Sequence, residues 1–232
     1  MNQWMVAMAA GVGGALFLLM GGGLAGCGPY GRRPVSTELA IGVSTNPMMF
    51  CQAAWGQSDM VSTYDRSGGN ADWWDVPAPL PGTTDLYEAL RVEGPGCIKR
   101  IWMTNVPAKE WLFFLDGEAQ PRLRLSPEEL FAFAAASPER PLRGNISGGA
   151  YSYVPIPFAR SIRVVVRMPG YKEGRPYFQI NYERYPAGAN VQSWPVRMDE
   201  DTTNAFRRAN ASWRQVAADD AGIVRRLNWR RL

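Results

Sequence analysis

From residue 161 to 168 the chain reads Ser-Ile-Arg-Val-Val-Val-Arg-Met, with every even-numbered position apolar and the odd ones mostly polar. Successive side chains of an extended strand point to opposite faces, so this period of two predicts a β-strand that buries Ile162, Val164 and Val166. Residues 177–185 repeat the pattern, with Phe178, Ile180 and Tyr182 on one side and Gln179, Asn181 and Glu183 on the other. Trp111-Leu112-Phe113-Phe114-Leu115 is continuously apolar, Asp116-Gly117 follows, and residues 122–125 alternate again, which predicts a hairpin with an Asp-Gly turn. Residues 98–104 and 152–158 supply two more strands, the second interrupted by Pro155 and Pro157 and therefore placed at a sheet edge. Short strands at this spacing predict an all-β sandwich. A chain of 232 residues that is 46% hydrophobic can bury a real core, and 24 Gly and 18 Pro suit many turns better than a helical bundle.

The ends of the chain differ from its middle. Residues 4–26 are uncharged and finish in small residues before Cys27, the shape of a signal peptide. Leu24-Ala25-Gly26-Cys27 resembles a lipobox, whose cysteine thiol receives a diacylglyceryl group. No Lys or Arg precedes the run, Arg32 and Arg33 follow it, and its length also suits an uncleaved membrane anchor. Near the C-terminus Phe206, Ala209, Trp213, Val216, Ile223 and Leu227 recur at helical intervals with arginines between them. Such a helix packs on its own domain or a partner, or lies against a membrane.

The absence of histidine removes Ser-His and Cys-His catalysis and the usual zinc and non-haem iron sites, so no metal and no cofactor is expected. Acid–base chemistry is left to carboxylates, Tyr or Lys. The net charge of +4 is carried by arginines, Lys99, Lys109 and Lys172 being the sole lysines, and this bias reads as codon composition, so no nucleic acid is expected as a partner. Cys27, Cys51 and Cys97 match no metal-cluster spacing. With Cys27 acylated, Cys51 and Cys97 form either a disulfide or two buried thiols.

Three blocks stand out: residues 62–73 (Ser-Thr-Tyr-Asp-Arg-Ser-Gly-Gly-Asn-Ala-Asp-Trp), residues 94–104 (Gly-Pro-Gly-Cys-Ile-Lys-Arg-Ile-Trp-Met-Thr) and residues 114–118 (Phe-Leu-Asp-Gly-Glu). In this order, and extended by residues 153–158 and 177–182, they resemble glycoside hydrolase family 172. The resemblance implies a jelly-roll β-sandwich over residues 48–195, behind a signal peptide (1–27) and a tether (28–47), with an amphipathic helical tail (196–232). It also implies oligomers and a furanoside-containing glycan as ligand, since members act on α-fructofuranosides and arabinofuranosides. Retaining hydrolysis needs two carboxylates about 5 Å apart. The family's catalytic glutamates lie in a second jelly roll, and no segment here corresponds to it, so no catalytic residue is carried over and enzymatic activity stays open. The expected protein is a carbohydrate-binding surface lipoprotein of the bacterial cell envelope, incomplete as a catalyst without a second jelly-roll half. The alternative is a structural, self-assembling surface lipoprotein.

Within the first block, Asp65, Arg66, Asn70 and Asp72 offer donors and acceptors for sugar hydroxyls, while Tyr64, Trp73 and Trp74 offer faces for ring C–H groups. Ala71 stands where the family usually has a second acid. The same residues can serve structure alone, with Asp65 and Arg66 as an ion pair and the tryptophans as core. Asp116 suits a turn. Glu128 and Glu129 follow Ser126-Pro127 as the first turn of a helix does, with Ser126 as N-cap.

Overall fold

The alternating segments pair as antiparallel strands in two facing sheets. The computed structural model describes residues 35–43, 56–72, 77–104, 108–131, 142–146, 148–170 and 176–226. Cys27 with its leader, Cys51 and Trp73 lie outside the described residues. In chain order the strands are β1 (Gln57–Ser62), β2 (Ala78–Pro79), β3 (Leu86–Glu93), β4 (Gly96–Thr104), β5 (Glu110–Leu115), β6 (Leu123–Leu125), β7 (Arg143–Ile146), β8 (Gly149–Ser152), β9 (Ile156–Phe158), β10 (Ser161–Arg167) and β11 (Phe178–Arg184). One sheet runs β1-β11-β4-β8-β7, with β9 also pairing β4, and the other runs β2-β3-β10-β5-β6. Early and late strands thus alternate within each sheet, and the chain changes sheet at most connections. That is the jelly-roll arrangement of an all-β sandwich.

The inward faces are those the alternation requires. Ile162, Val164, Val166, Phe178 and Ile180 are each no more than 1% exposed. They join Ile98, Ile101, Met103, Trp111, Phe113 and Phe158 in one core. Val165, on the opposite face of β10, is buried too. Its partner on β5 is Leu112, and on that same face Arg167 pairs with Asp85 at 2.9 Å and Glu110 at 3.4 Å, while Arg124 pairs with Glu110 at 2.6 Å.

Two expectations are refined. Residues 152–158 are not one strand: β8 ends at Ser152, and β9 resumes against Gly96 to Ile98 of β4 with Pro157 opposite Cys97. Proline has no N–H for a ladder, so this stretch sits off the main strand path. The hairpin of β5 and β6 does open with the Asp-Gly turn, Asp116 at φ 56° and Gly117 at φ 81°, and the Glu118 amide donates to the Leu115 carbonyl at 2.9 Å. Three residues then intervene before the Arg122 amide reaches the Phe113 carbonyl at 2.8 Å, so the connection is longer than a two-residue turn.

Among the described residues three helices accompany the sheets: α1 (Thr37–Val43), α2 (Pro127–Phe131) and α3 (Glu200–Arg226). The start of α2 is a reciprocal capping box, in which the Glu129 amide donates to Ser126 Oγ at 3.2 Å and the Ser126 amide donates to Glu129 Oε2 at 2.8 Å. Asp199 caps α3, its Oδ1 accepting from the Thr202 amide at 2.7 Å. Within the stretch read as a tether, α1 packs on α3, where Ile41, Leu142, Ala205 and Ala209 form a second small core. Val35 also bridges Val191, its amide donating to the Asn190 carbonyl at 2.8 Å. Residues 35–43 therefore belong to the folded body. About two turns of helix carry too few residues for a period to show in the sequence.

Candidate functional site

The segment leaving β1 is a loop knitted by its own carboxylates. Asp65 Oδ1 accepts from the Ser67 amide at 2.9 Å and the Ser67 hydroxyl at 2.7 Å, and its Oδ2 accepts from the Ala71 amide at 2.9 Å. In the other direction, Asp72 Oδ1 accepts from the Asp65 amide at 2.6 Å. The bonds from Ser67 and Ala71 hold the Asp65 carboxyl below the ordinary carboxylate range. Gly68 sits at φ 80°, and a Cβ on Gly69 would lie 2.7 Å from Asp65 Oδ2, so this turn needs both glycines. Both carboxylates face the loop's own polar groups, and of the predicted sugar contacts Tyr64, Arg66 and Asn70 are exposed. No ion pair joins Arg66 to Asp65. The Arg66 guanidinium instead lies 4.8 Å over the Tyr64 ring, and its Nη1 donates to the Ser62 carbonyl at 3.5 Å.

A second surface lies on the outer face of the sheet that carries β1. Arg100 of β4 is the partner of Asn181 on β11, and Trp102 is the partner of both Gln179 on β11 and Tyr151 on β8. Directly paired residues share a face, and Ile101, between the two, is in the core, so this group projects outward. Two glycines make room for the rings. A Cβ on Gly149 would lie 2.5 Å from Trp102 Nε1, and one on Gly144 would lie 2.8 Å from the Tyr151 hydroxyl. Each ring therefore brings one edge close against a glycine of the neighbouring strand. The Tyr151 and Tyr153 centroids are 5.7 Å apart, and Tyr153 stacks on Trp213 of α3 at 6.3 Å.

The amides of β11 organise the other side. Arg100 Nη1 donates to Gln179 Oε1 at 2.8 Å and to Asn181 Oδ1 at 3.1 Å. Its guanidinium carbon lies 5.9 Å from the Trp102 ring and 6.0 Å from that of Tyr153. The predicted loop leaves β1 at Ser62, the partner of Gln179, so the root of the loop adjoins this face. Sequence reading placed Trp102, Gln179 and Asn181 in strands but not together. The available signal was the polar or aromatic residue on the solvent side of each core position.

Asp116, Glu118 and Glu129 have structural work. Asp116 Oδ1 accepts from the amides of Ala159 at 3.0 Å and Arg160 at 2.8 Å, and its Oδ2 accepts from the Ser193 hydroxyl. Arg122 bonds Glu118, lies 3.9 Å from Asp116 and donates to the Trp194 carbonyl at 3.0 Å. Glu129 is held in its capping box. A mostly apolar cleft of about 330 Å³ opens between β6, β8 and α3, with Leu123, Leu125, Trp194, Phe206, Glu129 and Arg143 among its walls. Glu129 is the only carboxylate lining that cleft, so among the described residues it holds no acid pair of the kind retaining hydrolysis uses. Likewise no cluster of metal-ligating side chains occurs among the described residues.

Fold and surface together define a jelly-roll module with one aromatic, amide-lined sheet face. Residues 56–202 match the family model described as the GH172 first beta-sandwich domain, and the chain belongs to glycoside hydrolase family 172. The match spans all eleven strands of the described residues and ends in the first turn of α3. A comparison with curated proteins returns no match. The function is accordingly glycoside-hydrolase-related.

Proposed function

We propose that this domain binds a furanoside-containing glycan and leaves bond cleavage to a second β-sandwich. The carrying observation is the outer sheet face, where Trp102, Tyr151 and Tyr153 offer flat apolar rings beside the donors and acceptors of Arg100, Gln179 and Asn181. Sugars present apolar C–H faces ringed by hydroxyls, which suits this alternation of ring and amide. Tyr64, Arg66 and Asn70 extend it at the β1 end. The description of the matched region as a first domain, and the structural engagement of Asp65, Asp72, Asp116 and Glu129, support a catalyst completed by a second half. The lipobox-like tetrad supports attachment of the chain to the bacterial envelope through a lipid on Cys27.

The purified chain, titrated calorimetrically with arabinofuranose and fructofuranose oligomers, binds them and does not hydrolyse aryl α-arabinofuranoside or α-fructofuranoside. Trp102→Ala abolishes binding while leaving the fold intact. Turnover by the chain alone, or binding that survives Trp102→Ala, refutes the reading. Mass spectrometry of the N-terminal peptide from membrane-extracted protein tests the anchor, and an unmodified Cys27 refutes it.

A further inference from the structure

We propose that the outer sheet face takes a glycan segment bearing a sugar carboxylate, received by Arg100. The inference rests on reading that face as the sugar site. Arg100 is half-buried and fixed in place, yet both of its hydrogen-bonding partners, Gln179 and Asn181, are neutral amides. Amides orient a guanidinium without cancelling its charge. Elsewhere on the sandwich Arg91, Arg122, Arg124 and Arg167 each pair with a carboxylate. The one carboxylate that β11 directs near this surface, Glu183, is taken by Lys99 at 3.3 Å. Among the described residues no carboxylate pairs with Arg100, and its Nε and Nη2 donors bond none of them. With Nη1 tied back to the amides, that remaining edge has the two-donor geometry that a carboxylate accepts bidentately.

The surroundings select an anion carried on a ring. Trp102 and Tyr153 lie within cation–π range of the guanidinium, and Tyr151 lies beside Tyr153, so a bound carboxylate brings its own sugar ring over an aromatic face. A free phosphate could use the guanidinium but none of the rings. In the loop after β1, Arg66 is also held by a ring and a carbonyl rather than by a carboxylate.

The test is calorimetric titration of the full chain with two matched pairs and a reference. The pairs are oligogalacturonate with its methyl ester, and glucuronate-substituted xylo-oligosaccharide with the unsubstituted backbone. The reference is a neutral arabinofuranose oligomer. The acidic member of at least one pair is expected to bind about tenfold more tightly than its neutral partner, the worth of one charge-assisted contact. That advantage shrinks as salt is raised, and Arg100→Gln abolishes the difference within the pair, while an unchanged near-ultraviolet circular dichroism spectrum shows that the variant is folded. Equal binding within both pairs, or an advantage that survives Arg100→Gln, overturns the inference and leaves the sugar face standing. So does binding of the reference with no binding of any paired sugar. Displacement of the acidic sugar by inorganic phosphate at equal concentration reassigns Arg100 to a simple anion site and also overturns it. Failure of every sugar, the reference included, refutes the underlying reading of the face.

Discussion

Asp116 is the residue whose replacement distinguishes a clamp from an ordinary turn. Its side chain is 9% exposed and accepts two backbone amides of the β9–β10 connection and the Ser193 hydroxyl ahead of α3. Bonds to a charged acceptor are worth about 1.5–3 kcal/mol each, but the freed amides lie near the surface and water can satisfy them. Asp116→Ala is therefore expected to cost about 3 kcal/mol, part of it from placing alanine at φ 56°. Asn keeps a carbonyl acceptor and tolerates the left-handed region, so Asp116→Asn is expected to cost about half as much. With a urea m-value of about 2 kcal/mol/M, the alanine variant lowers the unfolding midpoint by about 1.5 M. Equal costs for the two variants, or less than about 1 kcal/mol for alanine, refute the clamp. The same group sets a pH signature. Burial pushes its pKa up, but the hydrogen bonds from Ser193 and the amides of Arg160, Ser161 and Ala159 outweigh this and hold it below the ordinary value. A depressed folded pKa contributes stability above the unfolded value of about 3.9 and loses it as pH falls through the folded value. The stability gap between wild type and Asp116→Asn should thus be constant at neutral pH and narrow below about pH 4.

Three further outcomes are expected. Val164, fully buried in the core, costs about 1–3 kcal/mol when replaced by alanine, read by chemical denaturation. Cys97 is a free, fully buried thiol whose pKa burial pushes up to about 11, so iodoacetamide should leave the Cys97 peptide unmodified in native protein and alkylate it in urea, as peptide mapping by mass spectrometry would show. Gly149→Ala places a methyl 2.5 Å from Trp102 Nε1, which should displace the indole, change its fluorescence and weaken glycan binding at least severalfold with little loss of stability.

What the sequence alone determined is everything with a short period. Alternation over residues 161–168 and 177–185 placed Val164 and Phe178 in the core, because side-chain direction in a strand depends only on neighbouring residues. Ser126 as N-cap, with Glu128 and Glu129 behind it, announced the first turn of α2, and α3 followed from its apolar spacing. Tertiary structure decided what depends on register between distant strands. Arg100, Tyr151 and Gln179 become neighbours because β4 pairs β8 on one side and β11 on the other, and no local pattern encodes that adjacency. The loop after β1 shows the same division. Its polar composition drew attention to Asp65 and Asp72, but only the closed backbone reveals that both carboxylates turn inward to amides. A residue type states which bonds it can make, whereas the fold determines whether those bonds are spent on the chain itself or left for a ligand.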